Sequence, residues 1–209
     1  MLSAKQIVCL QDQETLAWHD VPSPILVAQA LAGDELDWLS AVARQHRANC
    51  ELWHIEDEAR RPGAADAELA DVKRRVDQTN QRRNDLAEAL DRFLLQWLQA
   101  KNLPVVQAPL HSESPGLIVD RLSILSLKIY HTREEAERVE APPGHAARNL
   151  GRLAILEEQR TDLADCLQVL WQETLDGTRR FKLYRQLKMY NDPSLNPAVY
   201  GGQAEKTPR

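Results

Sequence analysis

The stretch Ser114-Pro115-Gly116-Leu117-Ile118-Val119-Asp120-Arg121-Leu122-Ser123-Ile124-Leu125-Ser126-Leu127-Lys128-Ile129-Tyr130-His131 constrains this chain more than any other. Ser114 is a candidate N-cap, and Pro115 suits the first helical position. The helix that follows is apolar on nearly every side, which is the pattern of a helix buried in its domain. It nevertheless carries Asp120, Arg121, Lys128 and His131. At about 100° per residue these four fall on one flank, with Ile124 among them. Charge inside a bundle must be paired or must face a cavity. The stretch therefore predicts a polar site, or an ion-pair network, within a helical domain.

The remainder of the chain supplies the other helices. Ser3-Ala4-Lys5-Gln6 reads as a capping box for a helix over 4–18, broken by Val21-Pro22-Ser23-Pro24. A short apolar helix is expected over 25–31. Asp34 caps a helix that runs to about residue 60, where Arg61-Pro62-Gly63 stops it. Its apolar face holds Trp38, Ala41, Val42, Leu52, Trp53 and Ala59, with Asn49, Glu56 and Arg60 in the same sector. Glu56 and Arg60, one turn apart, form either a local pair or part of a site.

Residues 66–100 form a long helix capped by Asp66, with Val72, Val76, Leu86, Leu90, Leu94 and Trp97 on its apolar face. Lys73, Asp77, Asn80, Asn84, Glu88 and Asp91 follow one another at spacings of three or four and abut that face. Such a stripe is either solvated or lines an interhelical groove, and two mid-helix asparagines favour the groove. Residues 105–111 read as an extended connector. The helix over 148–175 offers Leu150, Leu153, Leu156, Leu163, Leu167, Leu170 and Trp171 to the core, with Gly177 as its C′ residue. A last, basic helix is expected over 179–190, with Lys182, Arg185 and Lys188 on one side. The fold class is all-α: a single-domain bundle of five to seven helices over residues 1–200, with a disordered tail over 201–209.

Composition narrows the function classes. The chain is 43% hydrophobic and 27% charged, as in ordinary soluble proteins. A formal net charge of -5 argues against a nucleic-acid binder, which normally shows a basic footprint. No apolar run reaches the roughly 18–20 residues of a membrane span, and the N-terminus lacks a signal-peptide core. Cys9, Cys50 and Cys166 have no metal-ligand spacing and read as small apolar fillers in a reducing compartment, so the expected location is cytoplasmic. Gly-x-Ser-x-Gly, Cys-x-x-Cys and His-Glu-x-x-His are all absent from the sequence.

Three blocks resemble a bacterial family, the domain of unknown function 4254. The first is Asn49-Cys50-Glu51-Leu52-Trp53-His54-Ile55-Glu56-Asp57-Glu58-Ala59-Arg60, together with Asp77-Gln78-Thr79-Asn80-Gln81-Arg82-Arg83-Asn84-Asp85-Leu86-Ala87-Glu88. The second is the stretch 114–131. The third is Tyr184-Arg185-Gln186-Leu187-Lys188-Met189-Tyr190-Asn191-Asp192-Pro193 with Leu195-Asn196-Pro197. The resemblance implies a small cytoplasmic bacterial protein, associated with genes for envelope-glycan assembly. It implies no activity.

These residues support three readings. The first is a binding protein whose interhelical groove holds a small anionic ligand, phosphorylated or a sugar nucleotide, through Asn80, Asn84, Arg121, Lys128 and Lys188. The second is a Mg²⁺-dependent hydrolase of a nucleotide-like substrate. In it Glu56, Asp57, Glu88 and Asp91 would hold the metal, and Asp120 or His131 would act as general base. That reading leans on a likeness to the MazG-type nucleotide pyrophosphohydrolases, of whose paired motifs only Glu88-x-x-Asp91 is matched; the first helix offers Glu51-x-x-His54. The third is a homodimeric scaffold in which the same polar groups are ion pairs that fix helix register. Whether the chain is an enzyme stays open. His54 reads as a surface or packing histidine. Asp120 and Arg121 are both expected to be buried against the helices that carry Glu56 and Glu88.

Overall fold

A computed structural model describes residues 2–19, 34–187 and 194–197. Five helices make up the described part: α1 (Ala4–His19), α2 (Asp34–Glu58), α3 (Asp66–Gln99), α4 (Pro115–Glu137) and α5 (His145–Leu175). The all-α bundle expected from the sequence is the fold observed. Helix α4 packs against each of the other four helices and so occupies the middle of the bundle. The expected helix over 25–31, Lys188 and the tail over 201–209 lie outside the described residues. No helix among the described residues is long and apolar enough to cross a membrane.

The core draws Ile7 and Leu10 from α1, Trp38 and Val42 from α2, Leu90, Leu94 and Leu98 from α3, Ile118, Val119 and Leu122 from α4, and Leu167 and Leu170 from α5. On α3, Val72, Leu90 and Leu94 are buried as expected, whereas Val76, Leu86 and Trp97 are only half-buried and Ala87 and Leu98 join the core. The polar stripe grades from exposed Lys73 through half-buried Asn80, Asn84 and Glu88 to buried Asp91. It thus runs into the bundle at one end. Leu150, in the first half of α5, is 58% exposed and is not a core residue. Of the cysteines only Cys50 fills the core; Cys9 and Cys166 are exposed.

The basic helix expected over 179–190 does not form over 179–187, which is irregular apart from one β-bridge at Arg180. Helix α5 ends where Gly177 adopts φ +73°, with Thr178 N–H bonded to Glu173 C=O and Gly177 N–H to Thr174 C=O. This is the glycine-dependent C-terminal motif anticipated at Gly177. The chain then pairs with the α3–α4 connector. Arg180 N–H donates to Pro109 C=O, His111 N–H donates to Arg180 C=O, and Arg180 Nε–H donates to Ala108 C=O. Phe181, 2% exposed, anchors the segment in the core. Burial of one aromatic ring and this pairing outweigh the helical pattern of the basic residues.

The start of α4 is built differently from expectation. The Ser114 side chain does not cap the helix; its hydroxyl donates to Asp91 Oδ2. Asp91, from α3, takes the capping role by accepting the Gly116 N–H at 2.7 Å. The close approach requires glycine, because a Cβ at position 116 would run into the Ala87 carbonyl and the Asp91 carboxyl.

Candidate functional site

Asp120 is the centre of the polar interior. It lies on α4, is 6% exposed, and accepts hydrogen bonds from both neighbouring helices. Gln45 Nε2 and Asn49 Nδ2 of α2 donate to Oδ1 at 2.6 and 3.0 Å. From α3, Arg83 donates Nε to Oδ1 at 2.8 Å and Nη2 to Oδ2 at 2.6 Å. Two parallel bonds of this kind are the strong geometry for a guanidinium and a carboxylate. They hold the Arg83 pKa further above its ordinary value. The remaining nitrogen, Nη1, faces Asn80 Oδ1 at 3.4 Å.

Beside this pair a second buried layer joins α1 to α2 and α4. Thr15 Oγ donates to Gln11 C=O, so His46 Nε2–H donates to Thr15 Oγ at 3.0 Å. His46 Nδ1 then accepts from Ser123 Oγ at 2.7 Å, and Ser123 Oγ accepts from Asn49 Nδ2 at 2.8 Å. Burial pushes the His46 pKa down to about 3, with Arg47 contributing, and the ring stays neutral. Burial also pushes the neighbouring Cys50 thiol up to about 12, which leaves it without thiolate character.

A cleft of about 380 Å³ opens beside the Asp120–Arg83 pair. Its polar walls are Asn49, Glu56, Asp57, Arg60 and Arg83, and its apolar walls include Leu52, Trp53, Ile124 and Leu127. Glu56 of α2 and Arg60, just past the end of that helix, are paired at 3.4 Å, the local pair the spacing allowed, and both still face this cleft.

The flank read from the α4 sequence therefore divides. Ile124 is a ridge that lines two depressions. Asp120 turns to α2 and α3. Arg121 and Lys128 are exposed and line a separate groove of about 750 Å³ against α5, where Arg121 pairs with Glu113 at 2.8 Å. Asp120 is buried as expected, and Arg121 is not. His131 is not beside Asp120; it meets Trp53, His19 and His54 near the far end of the helix. Glu88 accepts Gln186 N–H at 2.9 Å and pairs with Arg92, while Asp91 is used at the start of α4. The carboxylates Glu56, Asp57, Glu88 and Asp91 do not converge. Among the described residues, the one group of three potential ligand side chains within range of a shared ion is His19, His54 and His131. Glu51, in the half-motif on α2, pairs with Arg82.

Arg83, Gln45 and His46 were not singled out from the sequence. Arg83 lies in the first of the three family-like blocks, one turn from Asn80, but among five arginines of α3 with nothing to rank them. Gln45 and His46 precede the first block and are polar residues on the face continued by Val42 and Asn49.

A family model described as a protein of unknown function (DUF4254) matches residues 39–183. The chain belongs to this family. The matched DUF4254 segment contains every residue that lines the cleft, together with the Asp120–Arg83 pair, Gln45 and His46. It leaves α1 outside. No curated protein and no solved structure matches the chain.

Proposed function

We propose that this protein binds a small phosphorylated sugar, or a closely similar anionic metabolite, in the cleft between α2, α3 and α4. The observation that carries the reading is the Arg83 guanidinium, pinned along Nε and Nη2 by the buried Asp120 while it lines the cleft. A cation fixed in advance loses little freedom on meeting a phosphate or carboxylate. Arg60, just past the end of α2, adds a second cation to the cleft lining. Glu56 and Asp57 are acceptors for ligand hydroxyls, and Trp53 offers an apolar face for a sugar ring. Two acids beside two arginines disfavour a bare polyanion and favour an anion that also carries hydroxyl groups. The volume sits toward the lower end of ordinary ligand sites, roughly 300–1,000 Å³. It suits a monosaccharide phosphate better than a whole sugar nucleotide.

Glu56 and Asp57 are also the acids a Mg²⁺-dependent hydrolase would use here. Glu88 and Asp91 serve other contacts, which favours binding over hydrolysis. The test is a thermal-shift panel of monosaccharide phosphates, nucleoside monophosphates and sugar nucleotides, each with and without Mg²⁺. Arg60→Gln and Asp57→Asn alter the rim without touching the buried pair. Sugar phosphates are expected to raise the wild-type melting temperature by mass action, and both variants to reduce the rise. No shift with any sugar phosphate, or the same shift in both variants, contradicts the reading.

A further inference from the structure

Three helices each bring a histidine to one point. His19 ends α1, His54 lies in the last turns of α2, and His131 lies in the second half of α4. One ring nitrogen from each falls within 4.8 Å of the others. The rings cross steeply, at 60°, 78° and 84°, with centroids 5.0–5.9 Å apart. They meet edge to face and do not stack on one another.

The hydrogen bonds on the outer side of two rings fix which nitrogen is free. His19 Nδ1 is 2.7 Å from the Thr15 carbonyl, which can only accept, so Nδ1 carries the proton. His131 Nδ1 donates to the Glu134 carboxylate at 2.8 Å. In both rings the lone pair is left on Nε2. The Nε2 atoms of His19, His54 and His131 are all buried without a hydrogen-bond partner.

The same three helices hold the imidazoles in place. Trp18 stacks on His54, Trp53 on His131 and Tyr130 on His19, at interplanar angles of 4°, 10° and 24°. Each aromatic residue directly precedes one of the histidines. The pairs Trp18-His19, Trp53-His54 and Tyr130-His131 thus interlock, each aromatic ring covering the histidine of another helix.

Packing alone does not explain this geometry. Three buried Nε2 atoms lack hydrogen-bond partners, on rings that bring one nitrogen each within 4.8 Å of the others, and a shared cation would satisfy all three. Neutral imidazole suits Zn²⁺, Cu²⁺, Ni²⁺ or Fe²⁺, whereas Mg²⁺ and Ca²⁺ prefer oxygen. A carbonyl and a carboxylate on the Nδ1 sides are the outer partners that metal-binding histidines ordinarily have.

We propose that His19, His54 and His131 bind one divalent transition-metal ion, of the zinc class, through their Nε2 atoms. The site is independent of the cleft reading, since none of the three histidines lines the cleft. Trp53 is the one residue both share.

The test is calorimetric titration of Zn²⁺ into the full-length, metal-stripped protein, with Mg²⁺ for comparison. One Zn²⁺ per chain and no Mg²⁺ binding are expected. His54→Ala and His131→Ala are each expected to raise Kd by more than about a hundredfold, beyond the roughly tenfold of Glu134→Gln, which removes only an outer partner. His111→Ala should leave Kd unchanged. Should the alanine variants fail to fold, the Co²⁺-loaded wild type decides: its proton NMR spectrum should show hyperfine-shifted resonances from three imidazoles. Absence of stoichiometric Zn²⁺ binding, binding that survives both alanine substitutions, or a Co²⁺ spectrum without shifted imidazole resonances overturns the proposal.

Discussion

Asp120 accepts four hydrogen bonds from α2 and α3, while Arg121, the next residue, is exposed and pairs with Glu113 at the surface. The two substitutions should therefore behave differently. Asp120→Asn leaves the Arg83 charge without its counterion in a largely buried place, and a loss of about 3 kcal/mol is expected. Arg121→Gln removes an exposed pair and should cost less than about 0.5 kcal/mol. Urea unfolding monitored by tryptophan fluorescence measures both; equal losses would contradict the assignment of one to the interior and the other to the surface. The sequence marked both residues as charges on a buried helix. Their 100° separation straddles the Ile124 ridge, and only the packing of α5 decides which side each one joins.

At the level of the helix, the start of α4 depends on a residue of α3. Burial pushes the Asp91 carboxyl up to about 6 from 3.8, against the opposing hydrogen bonds from Ser114 and Gly116. A carboxyl whose pKa is raised by folding favours the native state when protonated. Its contribution is full below about pH 4, declines as pH rises toward 6, and is constant above. At about 1.4 kcal/mol per unit the decline amounts to roughly 3 kcal/mol. Asp91→Asn keeps an acceptor for the Gly116 N–H and cannot titrate. Between pH 4 and 6 the wild type should lose stability relative to this variant, and melting curves at matched pH check the sign. Gly116→Ala should separate α3 from α4 at a cost of about 2–3 kcal/mol, as overpacking does. Helical spacing correctly gave α1 to α5 and the Gly177 terminator. It misjudged 179–187, where the pairing with residues 109–111 and the burial of Phe181 are long-range and leave no local pattern.

Across the whole molecule, the family match and the folding unit do not coincide. Helix α1 lies outside 39–183, yet Ile7 and Leu10 are 0% and 3% exposed, and Gln11 and Thr15 satisfy buried partners on α4 and α2. Burying two such apolar side chains stabilises by about 1.5–3 kcal/mol each, a large part of the roughly 5–15 kcal/mol a domain has. A chain of residues 39–183 alone is therefore expected to lack a cooperative thermal transition by circular dichroism; a sharp transition near that of the full chain would contradict this. The bundle was legible because amphipathic spacing is a local property. The site was legible in part: Asp120, Asn80, Glu56 and Asp57 surround one region, but Arg83 became distinct only through its contact with Asp120. The three aromatic–histidine pairs were present in the sequence, yet their meeting depends on how α1, α2 and α4 pack. The most direct test of the cleft as the binding site is a chemical-shift map of the ¹⁵N-labelled protein titrated with a monosaccharide phosphate. Perturbations are expected at the Arg83 Nε–H, the Trp53 indole N–H and the Asn49 side-chain amide. Perturbations confined to the Arg121 and Lys128 groove, or none at saturating ligand, would contradict it.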